Sequence, residues 1–100
     1  DAMQYMKEHY AEYELNMSSL AEYLKVTPVT LAVEFKKCTD LSPSDYLAII
    51  RMEAAKELLK NTDKLVREIS HEVGYEDEHV FMRRFKKYTG RTPLQYRGNA

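Results

Sequence analysis

Apolar residues in this chain recur every three to four positions, the period of a helix with one buried face. Met17, Leu20, Ala21 and Leu24 fall at i, i+3, i+4 and i+7, and Val66, Ile69, Ser70 and Val73 repeat that spacing. Leu31, Phe35 and Cys38 form another stripe, matched by Phe81, Phe85 and Tyr88. Tyr46, Leu47, Ile50, Ala54, Leu58 and Leu59 mark one longer helix. No stretch alternates apolar and polar residues long enough to make a strand. The pattern predicts an all-α fold of seven helices near 2–12, 17–25, 28–38, 43–60, 65–73, 77–88 and 93–98.

Boundary signals agree with this map. Ser42-Pro43-Ser44-Asp45 and Thr92-Pro93-Leu94-Gln95 each put a hydroxyl at the N-cap, proline at the first helical position and a polar group at the third. Thr27-Pro28 starts the same way, Asp77 can cap the helix that follows it, and Gly90 is placed to end that helix. Cys38, on an apolar stripe, is expected in the core.

The chain contains an internal repeat. The segment from Phe35 to Tyr46 lies 50 residues before that from Phe85 to Tyr96, sharing the Phe-Lys-Lys, Thr, Pro and Tyr positions. The stripes Met17/Leu20/Leu24 and Val66/Ile69/Val73 lie 49 apart, so the second copy gains one residue in its turn. Each copy reads as a short helix, a turn of about three or four residues and a second helix. The expected organisation is one domain with two helix-turn-helix units, 1–42 and 61–100, joined by a linker helix over 43–60.

One hundred residues suffice for one such domain. No apolar run is long enough for a transmembrane helix, and the first residues lack the features of a secretory signal. A single cysteine fits a reducing, cytoplasmic setting. The absent initiator methionine reads as a fragment of a longer protein. The net charge is −1, but its distribution is uneven. Residues 1–34 hold six acids and two bases, whereas from His79 onward there are six bases and no acid.

Paired helices with lysines at the end of the second fit a DNA-binding helix-turn-helix. There the first helix braces across phosphates and the second presents its outer face to base edges in the major groove. Basic side chains gain free energy by releasing condensed counterions. The same helical pair also serves proteins that only pack against other proteins. The 18 residues of the expected linker span about 27 Å, comparable to the roughly 34 Å between successive major grooves on one face of DNA.

Ile69-Ser70-His71-Glu72-Val73-Gly74-Tyr75-Glu76-Asp77, then Phe81-Met82-Arg83-Arg84-Phe85-Lys86-Lys87, Gly90, Pro93 and Tyr96-Arg97 resemble the signature of the AraC-type transcription regulators. The linker positions Tyr46-Leu47, Arg51, Ala54-Ala55 and Leu58-Leu59 resemble that family too. The resemblance covers essentially the whole chain. It implies a seven-helix bacterial DNA-binding domain, cytoplasmic and associated with the nucleoid. It also implies recognition helices near 28–38 and 77–88 entering adjacent major grooves, and a covalently attached sensory or receiver domain. RNA polymerase is a further candidate partner; no membrane partner is expected.

Carried over by position, the second unit presents Glu78, His79, Met82 and Arg83 to bases. Arg83 leads this set because a guanidinium can grip guanine O6 and N7 bidentately. Lys86, Lys87, Arg91 and Arg97 are the phosphate candidates. The first unit departs from the pattern: its outward positions are Val29, Ala32 and Val33, with Lys36 and Lys37 for phosphate. Apolar side chains can meet thymine methyls but cannot make bidentate hydrogen bonds. Alternatively, this patch packs against another domain or a second protomer, as in an α-helical protein-interaction module that does not bind DNA.

Other chemistry is weakly signalled. His71 lacks a partner at His-Glu-x-x-His spacing, because position 75 is tyrosine. The consecutive residues Glu76-Asp77-Glu78-His79 point in different directions on a helix, which suits a helix N-terminus better than a metal site. No phosphate loop or nucleophile elbow is present, so no catalysis, metal or cofactor is expected.

Overall fold

The computed structural model describes residues 2–98. Seven helices follow in order: α1 Ala2–His9, α2 Met17–Leu24, α3 Pro28–Thr39, α4 Pro43–Asn61, α5 Val66–Glu72, α6 Glu78–Thr89 and α7 Pro93–Gly98. Among the described residues no strand occurs and no helix is long and apolar enough to cross a membrane.

Side chains set most of the boundaries. Thr27 Oγ1 accepts from the Thr30 N–H at 3.1 Å, and Ser42 Oγ accepts from the Asp45 N–H at 3.1 Å. Asp77 Oδ1 accepts from the His79 N–H at 2.8 Å, and Thr92 and Gln95 bond reciprocally. Each contact satisfies a donor that the first helical turn leaves unpaired.

The repeat extends to hydrogen bonds. Thr39 and Thr89 each donate to the carbonyl four residues back, Phe35 and Phe85, at 2.9 Å. Asp40 and Gly90 both take left-handed backbone, φ 64° and 85°, to end α3 and α6. Phe35 meets Tyr46 edge-on at 5.2 Å between ring centres, and Phe85 meets Tyr96 at 5.5 Å. Lys25 and Gly74, also left-handed, stand at equivalent points after α2 and α5. The turns differ more than the repeat suggests: residues 25–27 join α2 to α3, whereas 73–77 join α5 to α6.

Two apolar clusters hold these units. Met6, Leu15, Leu20, Ala21, Leu31, Phe35 and Leu47 pack in one. Met52, Ala55, Leu59, Ile69, Val73, Tyr75, Phe81 and Phe85 pack in the other. α4 contributes to both and Tyr10 packs against both, so the linker helix is part of each core.

Three expectations need correction. α1 ends at His9 rather than near residue 12. The carbonyls of Tyr10 and Glu12 turn toward the Arg51 guanidinium, at 2.8 and 2.9 Å. Cys38 and Tyr88, assigned to buried stripes, are both exposed. They occupy equivalent places in the last turns of α3 and α6. Tyr88 instead donates to Glu53 Oε2 on α4 at 2.7 Å.

Candidate nucleic-acid interface

α3 and α6 turn equivalent faces outward because the opposite faces are anchored by Leu31/Phe35 and Phe81/Phe85. Their N-caps, Thr27 and Asp77, lie 50 residues apart, so each outward residue of α3 has a counterpart on α6. Val29 is 73% exposed and Val33 49%, and Ala32 between them is also exposed. On α6, His79 and Arg83 are exposed, Glu78 is half-buried, and Met82 is half-buried against the second core. A smaller fraction of Met82 than of its equivalent Ala32 is exposed, because its longer side chain packs against that core.

The basic residues divide into two groups. Lys36, Lys37, Lys86, Lys87 and Arg91 are exposed. Lys37 Nζ lies 3.8 Å from Glu34 Oε1, an exposed pair that constrains it little. Arg97 is held inward: its Nε donates to the Leu59 carbonyl at 3.0 Å and its terminal nitrogen to Thr62 at 3.1 Å. Those carbonyls lie at the end of α4, which a guanidinium complements both as donor and as cation. The contacts Arg97 makes in this structure are thus internal.

Arg84 was missed by sequence reasoning as a site residue. It is exposed and shares a shallow groove with Val80, Arg83 and Lys87. It also borders the crevice where the start of α2 and the linker helix meet α6, together with Asn16, Ser44 and Ala48. The available signal was its equivalence to Glu34, an acid-to-base change between the two units.

Beneath this surface sits Arg51, buried on α4. Its guanidinium lies 5.3 Å from the Tyr75 ring centre, within cation–π range. Burial lowers the pKa of Arg51, an effect Tyr75 opposes, and raises that of Tyr75. Gly74, with φ +104°, completes the contact: a Cβ there would stand 2.4 Å from the Tyr10 carbonyl oxygen and 2.8 Å from Arg51 Nε. One arginine thus ties the end of α1, the linker and the second unit's turn together. Among the described residues, no three of His, Cys, Asp or Glu are grouped to hold a metal ion.

A family model described as a helix-turn-helix domain matches residues 20–99. The chain belongs to the AraC-type helix-turn-helix family. It is 38% identical over 93 residues to the uncharacterized HTH-type transcriptional regulator YijO of Escherichia coli K12, covering 93% of this chain and 32% of YijO. It is 31% identical over 97 residues to the arabinose operon regulatory protein of Salmonella typhimurium, covering 97% of this chain and 34% of that protein. The chain spans about a third of the length of these curated relatives. Its fold superposes on the C-terminal domain of AraT, a response regulator from Geobacillus stearothermophilus, with TM-score 0.97 and 40% identity. That match covers 99% of this chain and 82% of the solved C-terminal-domain chain. As in the family, the fold is all-helical; this chain is a DNA-binding domain of the transcription-regulator class.

Proposed function

We propose that this AraC-type domain binds duplex DNA by placing α3 and α6 in adjacent major grooves, with α6 supplying most hydrogen-bonded sequence readout. The observation that carries this reading is the outer face of α6. Exposed His79 and Arg83 sit beside Arg84, Lys86 and Lys87 on a helix whose other face is fully anchored. Arg83 suits the bidentate grip on guanine, His79 a single base-edge or phosphate contact, and Glu78 the start of the helix more than a cytosine amino group. Met82 contributes only the part of its side chain left free by the core. The 19 residues of α4 span about 28 Å, a separation compatible with neighbouring grooves.

Lys36, Lys37, Lys86, Lys87 and Arg91 are the phosphate contacts in this scheme, joined by Arg84. They position the protein without selecting sequence. The chain works as one DNA-binding domain with units 1–42 and 61–100 about the linker 43–60. It acts by binding rather than catalysis, in the bacterial cytoplasm. An attached sensory or receiver domain supplies the signal, and RNA polymerase is a downstream partner.

The exposed Val29/Ala32/Val33 face favours a second reading, a protein-interaction module. Titration against duplex DNA at two salt concentrations separates the two. Five or six phosphate contacts predict affinity falling steeply with salt, by roughly the fifth power of its concentration. An apolar protein contact predicts little change and no duplex binding to follow.

A further inference from the structure

At its three outward positions α3 has no side-chain donor with which to read a base edge in the way α6 can. Val29, Ala32 and Val33 stand where α6 carries His79, Met82 and Arg83, on helices capped in the same register. Exposure of these valines has a cost. β-Branched residues are poorer helix formers than lysine, glutamate or glutamine, and a solvated helix face would favour the latter. An apolar partner on this face would offset that cost.

The surroundings select the partner. Thr27 and Thr30 bound the patch on one side, and the exposed Lys36 and Lys37 on the other, with Glu34 beside Lys37 at 3.8 Å. By themselves Val29, Ala32 and Val33 fall far short of the ~800 Å² per partner that a stable protein interface buries, and two lysines against one acid leave their rim net cationic. A polyanion with small apolar groups set between its phosphates fits both the rim and the centre. In the major groove that group is the thymine 5-methyl. Short side chains also let α3 approach the floor of the groove closely.

We propose that α3 selects its half-site through thymine methyl groups contacted by Val29 and Val33, so that the two units read DNA by different chemistry: apolar contact in one, hydrogen bonding in the other. This rests on the reading that α3 enters the major groove. It adds that the first half-site is defined by the positions of its thymines.

Deoxyuridine provides the test, since it lacks only the 5-methyl and keeps the same pairing and groove acceptors. The chain selects duplexes from a random pool, and thymines of each half-site in the winning duplex are then replaced by deoxyuridine. In the half-site met by α3, affinity should fall about three- to five-fold for each contacted methyl. The substitutions Val29→Ser and Val33→Ser, which leave no methyl group at either position, should weaken binding to the thymine duplex and reduce the deoxyuridine effect. Both positions are exposed, and circular dichroism checks that the variants remain folded. Sequence-selective binding that is indifferent to deoxyuridine in both half-sites overturns this proposal while leaving the DNA reading intact. Absence of any duplex binding overturns both. A dimer in the absence of DNA that either serine variant dissociates assigns the face to a second copy of the chain, and equally overturns it.

Discussion

Arg51 Nε donates to the Tyr10 carbonyl at 2.8 Å, so a linker-helix side chain closes off the end of the first helix. A second bond, to the Glu12 carbonyl at 2.9 Å, fixes the following turn. Replacing Arg51 by methionine keeps the apolar stem but leaves both acceptors without this donor. The expected loss is about 1–3 kcal/mol, read as a lowered midpoint in denaturant with an unchanged slope. An unchanged midpoint would mean that the two carbonyls are satisfied without the guanidinium.

Gly74 and Gly90 offer a paired comparison. Both have positive φ, but only Gly74 has neighbours within contact distance of an added Cβ. Gly90→Ala pays for left-handed backbone alone, about 1–2 kcal/mol. Gly74→Ala adds an overlap with the Tyr10 carbonyl, which is backbone, and with Arg51. Its cost should exceed that of Gly90→Ala by at least ~2 kcal/mol, as expected where strain and displaced packing combine. Thermal unfolding of both variants, measured side by side, decides the order; equal losses would show that the Arg51 cluster yields easily.

Much of this architecture is legible in local pattern. Thr27, Ser42, Asp77 and Thr92 act within one helical turn, so sequence spacing is enough to place helix starts. The repeated Phe-Lys-Lys and Thr-Pro segments likewise expose the two-unit plan. Arg51, Gly74 and Arg97 were not legible as structural residues because their partners lie far away in the chain. Arg51 reaches back 41 residues to Tyr10, and Arg97 reaches 38 residues to Leu59. An arginine engaged in this way has the same sequence signature as one facing phosphate. Cys38 and Tyr88 failed for a different reason: helical spacing puts both on an apolar stripe but does not show whether another element covers that part of it, and here both are exposed.

The Tyr88–Glu53 bond ties the end of α6 to the linker, and Lys56 Nζ also reaches Glu53 at 3.1 Å. The bond from Tyr88, and then that from Lys56, lowers the Glu53 pKa from its ordinary value near 4.5. A carboxylate with a lowered folded-state pKa contributes stability that is full above the unfolded value and disappears as pH falls through the folded one. Both groups are exposed and screened by solvent, so Tyr88→Phe should destabilise the domain at pH 7 by no more than about 0.5 kcal/mol. That difference from the wild type should narrow as acid protonates Glu53. Denaturant curves at pH 7 and in the acid range test this; a gap that stays constant with pH would assign the effect of Tyr88 to packing.

Arg83 and Lys86 lie three residues apart on α6, yet the proposed roles give their loss different signatures. Arg83→Ala removes a bidentate base contact, so affinity for the preferred duplex should fall by roughly 5- to 150-fold, equivalent to about 1–3 kcal/mol. Affinity for unrelated duplexes should change much less. Lys86→Ala removes one phosphate contact and should weaken every duplex alike. It should also reduce the slope of log affinity against log salt by about one unit. Both side chains are exposed and neither contributes to the core, so the fold should survive each change. If Arg83→Ala instead weakens all duplexes equally and lowers the salt slope, Arg83 belongs with the phosphate contacts. Base reading on α6 would then rest with His79 and the free part of Met82.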